Sequence, residues 1–280
     1  MAPLSRGPNI KDVIIGVLLF VIALQGFLLF STQKKKAPHK KRPAITKPLA
    51  AKPKPQKTIG NIVIIIDDWG YSIDRCSHLR KIKSPVTVSI LPNLEYSTEI
   101  AACAHHNGKE VMLHLPMEPH KFFEQYPKGY LISSNMSKAQ VESIISRALD
   151  NVPYVSGVNN HMGSRITESK RIMPIVFDAL KKKNLFFVDS FVTAKSVCAK
   201  IAAEMKMPFA QRNIFLDNEN KREYIEGQFA QLAQEAREKG SAIAIGHDRE
   251  LSLEIIAEQT ELLEKQGFKF ITVAEYLSLR

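Results

Sequence analysis

The chain has 280 residues, of which 45% are hydrophobic and 24% are charged, and its formal net charge is +11 at pH 7. This composition excludes an intrinsically disordered protein and suffices for the core of one large domain or two small ones. Residues 1–58 hold 12 of the 39 Lys and Arg side chains and one of the 28 acidic ones, so the remaining 222 residues are neutral overall. A broad phosphate-binding face is therefore not expected, and neither is a nucleic-acid partner.

The N-terminal region begins with a long apolar segment. Residues 13–30 comprise 18 residues without a charge, so as a helix they would span about 27 Å, close to the thickness of a bilayer core. The stretch from residue 30 to residue 36, FSTQKKK, offers no small-residue cleavage site of the A-x-A kind. We therefore predict an uncleaved membrane anchor over residues 1–33, with the transmembrane segment at about 13–30. A cleaved signal peptide and a buried core helix are the alternatives.

Residues 34–58 form a second N-terminal segment that is rich in Lys and Pro. The segment contains five prolines and no acidic residue, which predicts a disordered, extended linker. Such a linker acts as a solvated tether or contacts an anionic envelope surface. The basic residues after the apolar segment outnumber Arg6 and Lys11 before it, and this charge balance alone would place the following domain in the cytoplasm.

From residue 59 onward, β-branched and apolar runs alternate with helical patterns. The predicted strands cover residues 61–66, 86–91, 109–115, 155–160, 185–190, 212–216, 241–246 and 268–272. The predicted helices cover residues 72–83, 97–107, 137–149, 168–183, 195–206, 221–239 and 250–266. Seven or eight βα units in this length predict an α/β fold, an irregular seven- or eight-stranded (β/α) barrel over residues 59–280. An open doubly wound sheet is the alternative.

Polar residues with catalytic chemistry stand at the carboxyl ends of five predicted strands. They are Asp67 and Asp68, then His114, then Asn159, Asn160 and His161, then Asp189 and Ser190, then His247 and Asp248. Taken singly, such an aspartate is often a helix cap and such a histidine is often structural. In a barrel, however, the five strand ends converge on one face, where active sites are built. The sequence therefore predicts a site at this face.

Five motifs in this order, IIIDDWGY, HLPMEP, GVNNHMGSR, VDS and IGHDR, resemble the divergent polysaccharide deacetylase family. This family is a branch of the glycoside hydrolase/deacetylase superfamily, and the resemblance covers about residues 59–280. It implies a distorted (β/α) barrel that binds a divalent metal, usually zinc, and removes an N-acetyl or related acyl group from a glycan. It also implies a domain on the periplasmic side of the inner membrane, reached through a single-pass anchor, with an envelope polysaccharide or peptidoglycan-like glycan as partner.

The resemblance also implies roles for the residues that bind the metal. Asp67 matches the general base of the family and Asp68 matches a metal ligand. His114 matches the first histidine of an H-x-x-x-H pair, but Glu118 stands where the second would be. His161, at the next strand end, is therefore the candidate third ligand, with Glu118 as the alternative.

The remaining roles implied by the resemblance concern the proton donor and the substrate. His247 matches the histidine that protonates the leaving group. Asp189 lies where an acid orients that histidine, and Arg165 is the candidate for an arginine that steadies the base. Asn160, Glu118 and Trp69 are expected to contact substrate. Four other aromatic residues are candidates to line a sugar-binding cleft, namely Tyr71, Phe122, Phe123 and Tyr126.

The chemistry of these residue types is consistent with amide hydrolysis. Zinc bound by one carboxylate and two imidazoles keeps an open position where bound water ionises near neutral pH, and Asp68, His114 and His161 satisfy that ligand count. A second carboxylate, Asp67, is available to take a proton from water, and an imidazole opposite it is available to protonate the departing amine. Adjacent residues on a strand point to different sides, so the two aspartates could divide the two tasks.

Three cysteines, Cys76, Cys103 and Cys198, are too few for a structural zinc site. Buried thiols are expected, with a Cys76–Cys103 disulfide as the alternative if the compartment is oxidising. Three functions are compatible with the sequence. They are a membrane-tethered metal-dependent deacetylase, a glycan-binding or scaffold protein on the same barrel, and a metal-dependent glycosidase that uses Asp67 with Glu118 or Asp189.

Overall fold

The structure is a computed structural model that describes residues 58–121 and 129–280. The predicted anchor and linker precede this range, and Phe122, Phe123 and Tyr126 fall in the gap, so these predictions lie outside the described residues. No helix within the described ranges is long and apolar enough to cross a membrane.

Nine strands alternate with helices along the described chain. The strands are β1 (Asn61–Trp69), β2 (Thr87–Ile90), β3 (Glu110–Met117), β4 (Val155–Met162), β5 (Phe186–Asp189), β6 (Phe209–Gln211), β7 (Ile214–Phe215), β8 (Ser241–His247) and β9 (Lys269–Phe270). A short 3₁₀ helix, Ile73–Arg75, leads into α1 (Cys76–Leu79). The other helices are α2 (Ser97–His106), α3 (Lys138–Asn151), α4 (Ser164–Thr167), α5 (Met173–Lys181), α6 (Cys198–Met205), α7 (Arg222–Lys239), α8 (Glu250–Lys265) and α9 (Val273–Ser278).

The strands form one parallel sheet in the order β6-β5-β4-β3-β2-β1-β8-β7, with β9 beside the start of β1. The two edge strands are close in sequence, because β6 ends at Gln211 and β7 begins at Ile214. Three residues span at most about 11 Å, so the sheet must curl until its edges approach each other. This curled parallel sheet surrounded by helices confirms the predicted α/β barrel class. The expected strand at 212–216 is shorter than predicted, and β6 was not predicted.

The side chains of each strand divide between two cores. On β1, Ile62, Ile64 and Ile66 pack against the helices in what we call the outer core. Val63 and Ile65 belong to an inner core, which the curled sheet encloses and to which α9 contributes. Because successive side chains of a strand point to opposite faces, the same division assigns the polar residues at the strand ends to a face.

The alternation directs most of the predicted site residues inward. Met112 on β3 and both Ile243 and Ile245 on β8 belong to the inner core, so His114 and His247 continue the inner face. Phe187 on β5 belongs to the outer core, so Asp189 continues the outer face. The strand ends therefore carry two sets of polar side chains that face opposite sides of the sheet.

The end of β1 departs from regular strand geometry. Asp68 has a positive φ of 64°, in the left-handed region that Asp and Asn tolerate better than most residues. The pairing of β1 with β2 shifts register between Ile66 and Trp69, and Trp69 lies in the outer core. The left-handed backbone at Asp68 therefore interrupts the alternation of β1, and the indole of Trp69 lies in the outer core.

The cysteines differ from the favoured prediction. Cys76 and Cys103 form a disulfide with a Cα–Cα distance of 6.5 Å, which joins the segment after β1 to α2. Cys198 is a buried free thiol. The alternative weighed from sequence, a Cys76–Cys103 bond, is the arrangement that the structure adopts.

Candidate metal centre and active site

Three potential metal ligands converge at the carboxyl ends of β1, β3 and β4. The Oδ1 atom of Asp68 lies 3.2 Å from Nε2 of His114 and 3.0 Å from Nδ1 of His161. The two imidazole nitrogens lie 3.1 Å from each other. Among the described residues, these three form the one group of His, Cys, Asp and Glu side chains with the proximity that a metal ion requires.

The spacing and chemistry of this triangle fit a divalent metal. Zinc bonds of about 2.0–2.1 Å in a tetrahedral arrangement separate neighbouring ligand atoms by about 3.3 Å, close to the observed distances. Oδ1 of Asp68 is buried and accepts no hydrogen bond within the described part of the chain. A buried carboxylate oxygen without a donor is costly, and a cation would compensate it. Glu118 does not belong to this group.

Asn159 orients two of the functional side chains. Its Oδ1 atom lies 2.7 Å from Nδ1 of His114 and accepts a hydrogen bond from Ser89 at 2.6 Å. Since Oδ1 is an acceptor only, Nδ1 of His114 must carry the proton, which leaves the lone pair of Nε2 directed at the triangle. The Nδ2 group of Asn159 donates to both carboxylate oxygens of Asp67, at 2.8 and 3.1 Å. One buried amide thus sets the tautomer of the histidine and the orientation of the acid.

Asp67 lies beside the triangle on the inner face. The residue is 2% exposed, and its Oδ2 atom lies 3.6 Å from Nε2 of His114. Burial raises the pKa of Asp67, while the nearby His114 and His247 oppose that rise. For Asp68, burial also raises the pKa, but the contacts with His114 and His161 outweigh it and lower the pKa far below its usual range. The two neighbouring aspartates therefore differ sharply in proton affinity. This difference suits a proton acceptor at Asp67 and a metal ligand at Asp68.

His247 also lies close to Asp68, with Nε2 4.0 Å from Oδ2 of that residue, and it pairs in register with Asp67 on the neighbouring strand. Its Nδ1 atom contacts Oδ1 of Asp217 at 2.7 Å, and its backbone N–H donates to Oδ2 of Asp217 at 3.0 Å. Burial lowers the pKa of His247, but the hydrogen bond and charge of Asp217 outweigh it and raise the pKa to about 9. The ring of Phe215 stacks against the imidazole with centroids 6.0 Å apart. His247 is thus held in one orientation and favours its protonated form.

The expectation that Asp189 orients His247 was wrong. Asp189 lies on the outer face of β5, where it accepts hydrogen bonds from the Ser196 hydroxyl at 2.6 Å and from the backbone N–H of Phe191 at 2.8 Å. The alternation of β5 turns its side chain away from the inner face of the sheet. Asp217, which follows β7 on the inner face, takes the predicted role.

The expectation for Arg165 was also wrong. Arg165 is 45% exposed and pairs with Glu118, its Nε atom lying 3.3 Å from Oε1. Arg212 is the arginine in electrostatic reach of Asp67, and it also interacts with Asp189. Arg212 is fixed by hydrogen bonds to the carbonyl oxygens of Ser190 at 2.7 Å and Phe191 at 2.9 Å. Burial lowers its pKa to about 10, while the two aspartates oppose that shift.

The three expected substrate contacts do not face an open cleft in the way predicted. Asn160 lies on the outer face, donates to the carbonyl oxygen of Met162 at 2.7 Å and accepts from the backbone N–H of Ser190 at 2.9 Å. Trp69 is fully buried. Glu118 is engaged by Arg165 and accepts from the backbone N–H of Ser134 at 2.5 Å. The contacts of these residues stabilise the strand ends and loops. Tyr71, a candidate for the sugar-binding cleft, is 52% exposed.

Two residues of the site, Asp217 and Arg212, were not predicted from sequence, and a third, Asn159, was placed at a strand end without a role. Asp217 follows the predicted strand at 212–216, so the rule that found the other strand-end residues would have found it. Asn159 stands in the NNH motif. It differs from Asn160 only in lying two residues before His161, which places the two side chains on the same face of the strand. Arg212 precedes the same predicted strand and carries no sequence signal for its contact with Asp67.

Comparison with known proteins identifies relatives of this chain. The family model described as divergent polysaccharide deacetylase matches residues 64–277. The uncharacterized protein YibQ of Escherichia coli (strain K12) is 34% identical over 197 residues, which cover 70% of this chain and 61% of that protein. An uncharacterized protein of Haemophilus influenzae is 34% identical over 195 residues, which cover 70% of this chain and 69% of the relative.

A solved structure supports the fold assignment. The uncharacterized protein ATU2773 from Agrobacterium tumefaciens C58 superposes with a TM-score of 0.74 at 20% identity. The superposition covers 78% of this chain and 89% of the other. At this identity the likeness concerns the fold alone, while the family model covers most of the chain and includes all the strand ends of the site. The chain belongs to the divergent polysaccharide deacetylase family.

Proposed function

We propose that the protein is a metal-dependent hydrolase that removes N-acetyl or related acyl groups from a polysaccharide of the cell envelope. The observation that carries this proposal is the triangle of Asp68, His114 and His161, with Asp67 and His247 beside it. A ligand triangle with a carboxylate and a protonated imidazole beside it suits hydrolysis of an amide at neutral pH, because it offers a metal site, a proton acceptor and a proton donor together.

Asp68, His114 and His161 would hold the metal. A divalent cation bound there, zinc by the ligand set, supplies Lewis-acid chemistry by polarising the acyl oxygen and lowering the pKa of water. The protein's contribution is orientation, because Asn159 fixes the ring of His114 and the backbone geometry of Asp68 directs its carboxylate into the triangle.

Asp67 and His247 would move the protons. Asp67 removes a proton from the attacking water as the new C–O bond forms, and its raised pKa makes it a better acceptor than an ordinary aspartate. His247 donates its Nε2 proton to the amide nitrogen as the C–N bond breaks, so that an amine leaves. Asp217 stabilises the imidazolium through Nδ1 and keeps Nε2 directed at the site.

We also propose that the domain is tethered to the inner membrane and faces the periplasm. Two features support this location. Residues 13–30 are long and apolar enough to anchor the chain. The Cys76–Cys103 disulfide is typical of an oxidising compartment, whereas such bonds are rare in the cytosol. An envelope glycan of the peptidoglycan type would then be within reach of the site.

The glycosidase alternative loses support because its second carboxylate is not available. Glu118 is paired with Arg165, and Asp189 faces the outer core. Two carboxyl groups that flank a glycosidic bond would both have to face one cavity.

The test is metal analysis of the purified full-length protein in detergent, followed by acetate release from a panel of acetylated glycans. We expect about one zinc per chain and acetate release that chelation abolishes and zinc restores. If the protein binds zinc and glycan but releases no acetate from any substrate, the deacetylase proposal fails. A glycan-binding or scaffold role on the same barrel would then take its place.

A further inference from the structure

Two arginines, Arg75 and Arg249, contact residues that adjoin His247. Nη1 of Arg75 donates to Oδ1 of Asp248 at 2.9 Å and also to the carbonyl oxygen of that residue. Nη1 of Arg249 donates to the carbonyl oxygen of Asp217 at 2.7 Å. Asp248 follows His247 in the chain, and Asp217 is its hydrogen-bond partner. Both guanidinium groups are therefore attached to residues that adjoin the proposed proton donor.

Each guanidinium group retains donors for another ligand. Within the described ranges, no hydrogen bond from Nε or Nη2 is formed by either Arg75 or Arg249. The side chains are 38% and 44% exposed, respectively. A planar guanidinium with free donors matches the geometry of carboxylate and phosphate groups. A neutral sugar hydroxyl would gain less from the positive charge of the guanidinium group than an anion would.

The position of Arg75 is fixed by the surrounding structure. Its neighbour Cys76 is bonded to Cys103 on α2. Its partner Asp248 is 5% exposed and donates its backbone N–H to the carbonyl oxygen of Asp67 at 3.1 Å. The arginine is thereby held against the end of β1. A side chain that is already ordered loses less conformational entropy when it binds a ligand.

The carboxylates around the two arginines have partners of their own. Asp248 is paired with Arg75, Asp217 accepts from His247, and Asp68 contacts His114 and His161. An anion at the free donors would therefore meet carboxylates that each have a basic neighbour, although Oδ2 of Asp248 accepts no hydrogen bond within the described residues. The unused guanidinium donors favour an acidic ligand over a cationic one.

We propose that Arg75 and Arg249 form an anion-binding subsite next to His247, and that the substrate is a glycan with a carboxylate or phosphate group close to the acylated amine. The identity of this ligand as the substrate rests on the proposed function. The subsite itself is a binding property that does not require turnover. It would place the acidic group on the side of the leaving amine.

The test compares matched ligands on the zinc-loaded full-length protein in detergent. The probes are an N-acetylated oligosaccharide with one carboxylate, its methyl ester, and a phosphorylated analogue of the same length. Affinity is measured by calorimetry, and KM by acetate release. We expect the carboxylate or the phosphate form to bind about 10-fold more tightly than the ester, as a charge-assisted hydrogen-bonded pair allows. The more tightly bound of the two identifies the acidic group.

Variants separate recognition from folding. Arg75→Lys keeps a cation beside Asp248 but removes the planar set of guanidinium donors. Arg249→Gln removes the second guanidinium group. Both should abolish most of the preference for the acidic ligand, because each should raise KM for that ligand more than KM for the ester. Arg237→Gln, on an exposed position of α7, changes the net charge by the same amount as Arg249→Gln and should leave the preference for the acidic ligand unchanged.

Three outcomes would overturn or preserve the inference. Equal affinity of wild type for acidic and ester forms overturns it. So does an equal loss of both affinities in the two variants, because that would indicate a structural role. A preserved preference for the acidic ligand without any acetate release would sustain the subsite while the deacetylase proposal fails.

Discussion

The inner and outer faces of the strand ends carry similar residue types with different consequences. On the inner face, Asp67 and Asn159 adjoin the ligand triangle. On the outer face, Asp189 and Asn160 bond to nearby backbone and hydroxyl groups. Both sets are buried and both are hydrogen-bonded. Residue type at a strand end therefore does not identify a functional residue, because the direction of the side chain decides what it contacts.

The largest effect is expected at the ligand triangle. His161→Ala removes a ligand, so the zinc affinity should fall by more than the roughly 10–100-fold that loss of an outer-shell partner costs, and acetate release should cease. Glu118→Ala is the matched control, because Glu118 lies outside the triangle, and it should retain full zinc. Zinc content after dialysis measures both. Retention of zinc by His161→Ala with loss in Glu118→Ala would reverse the ligand assignment.

A large effect without metal loss is expected at the inner aspartate. Asp67→Asn preserves shape and removes the proton acceptor, so kcat should fall about 10²- to 10⁴-fold while zinc content stays constant. Asp189→Asn makes the same chemical change on the outer face and should alter stability rather than kcat. Steady-state acetate release and a thermal melt distinguish the two. Equal kcat values for the two variants would remove the functional difference between the faces.

A smaller effect is expected from two neighbouring asparagines on opposite faces. Asn159→Ala deletes the amide that sets the tautomer of His114, so zinc affinity should fall about 10- to 100-fold. Asn160→Ala deletes an outer-face brace and should leave zinc affinity unchanged, although the protein should melt at a lower temperature. Competition with a chromogenic chelator measures the affinities. A similar loss of zinc affinity in both variants would contradict the proposal that the face of the strand on which an asparagine lies decides its role.

The smallest effect is a shift in pH dependence. His247 must be protonated to donate, so activity falls as pH rises through its pKa, which Asp217 raises to about 9. Asp217→Asn removes the charge and should move the basic limb of kcat/KM down toward the ordinary histidine value of about 6.5. Bound zinc would repel the positive charge of protonated His247 and so lower its pKa in the variant and in wild type alike. The measured quantity is therefore the difference between the basic limbs of the two proteins. An unchanged basic limb would mean that another group is the acid.

Much of the fold and of the inner-face site was predictable from sequence. The alternation of β-branched runs with helical patterns predicted the parallel α/β architecture, because strands buried on both faces need continuous apolar runs. The positions of Asp67, Asp68, His114, His161 and His247 at strand ends predicted that they would meet. The structure brings these five together, and their chemical roles remain proposals.

The errors in the site have a common physical origin. Asp189 and Asn160 were grouped with the inner residues because they stand at strand ends, although each has the parity of an outer-core residue, Phe187 and Val158 respectively. Trp69 was expected in the cleft because sugar faces stack on aromatic rings, but the backbone at Asp68 is left-handed and the indole that follows lies in the outer core.

The sequence by itself determined which residue types stand at which strand ends, since local apolar patterns define strands and their termini. Only the tertiary structure decided the partners of those residues. Asp217 meets His247 across 30 positions, and Asn159 meets Asp67 across 92. Such contacts depend on the order of the strands, their register and the curl of the sheet, and none of these is encoded in the spacing of the contacting residues along the chain.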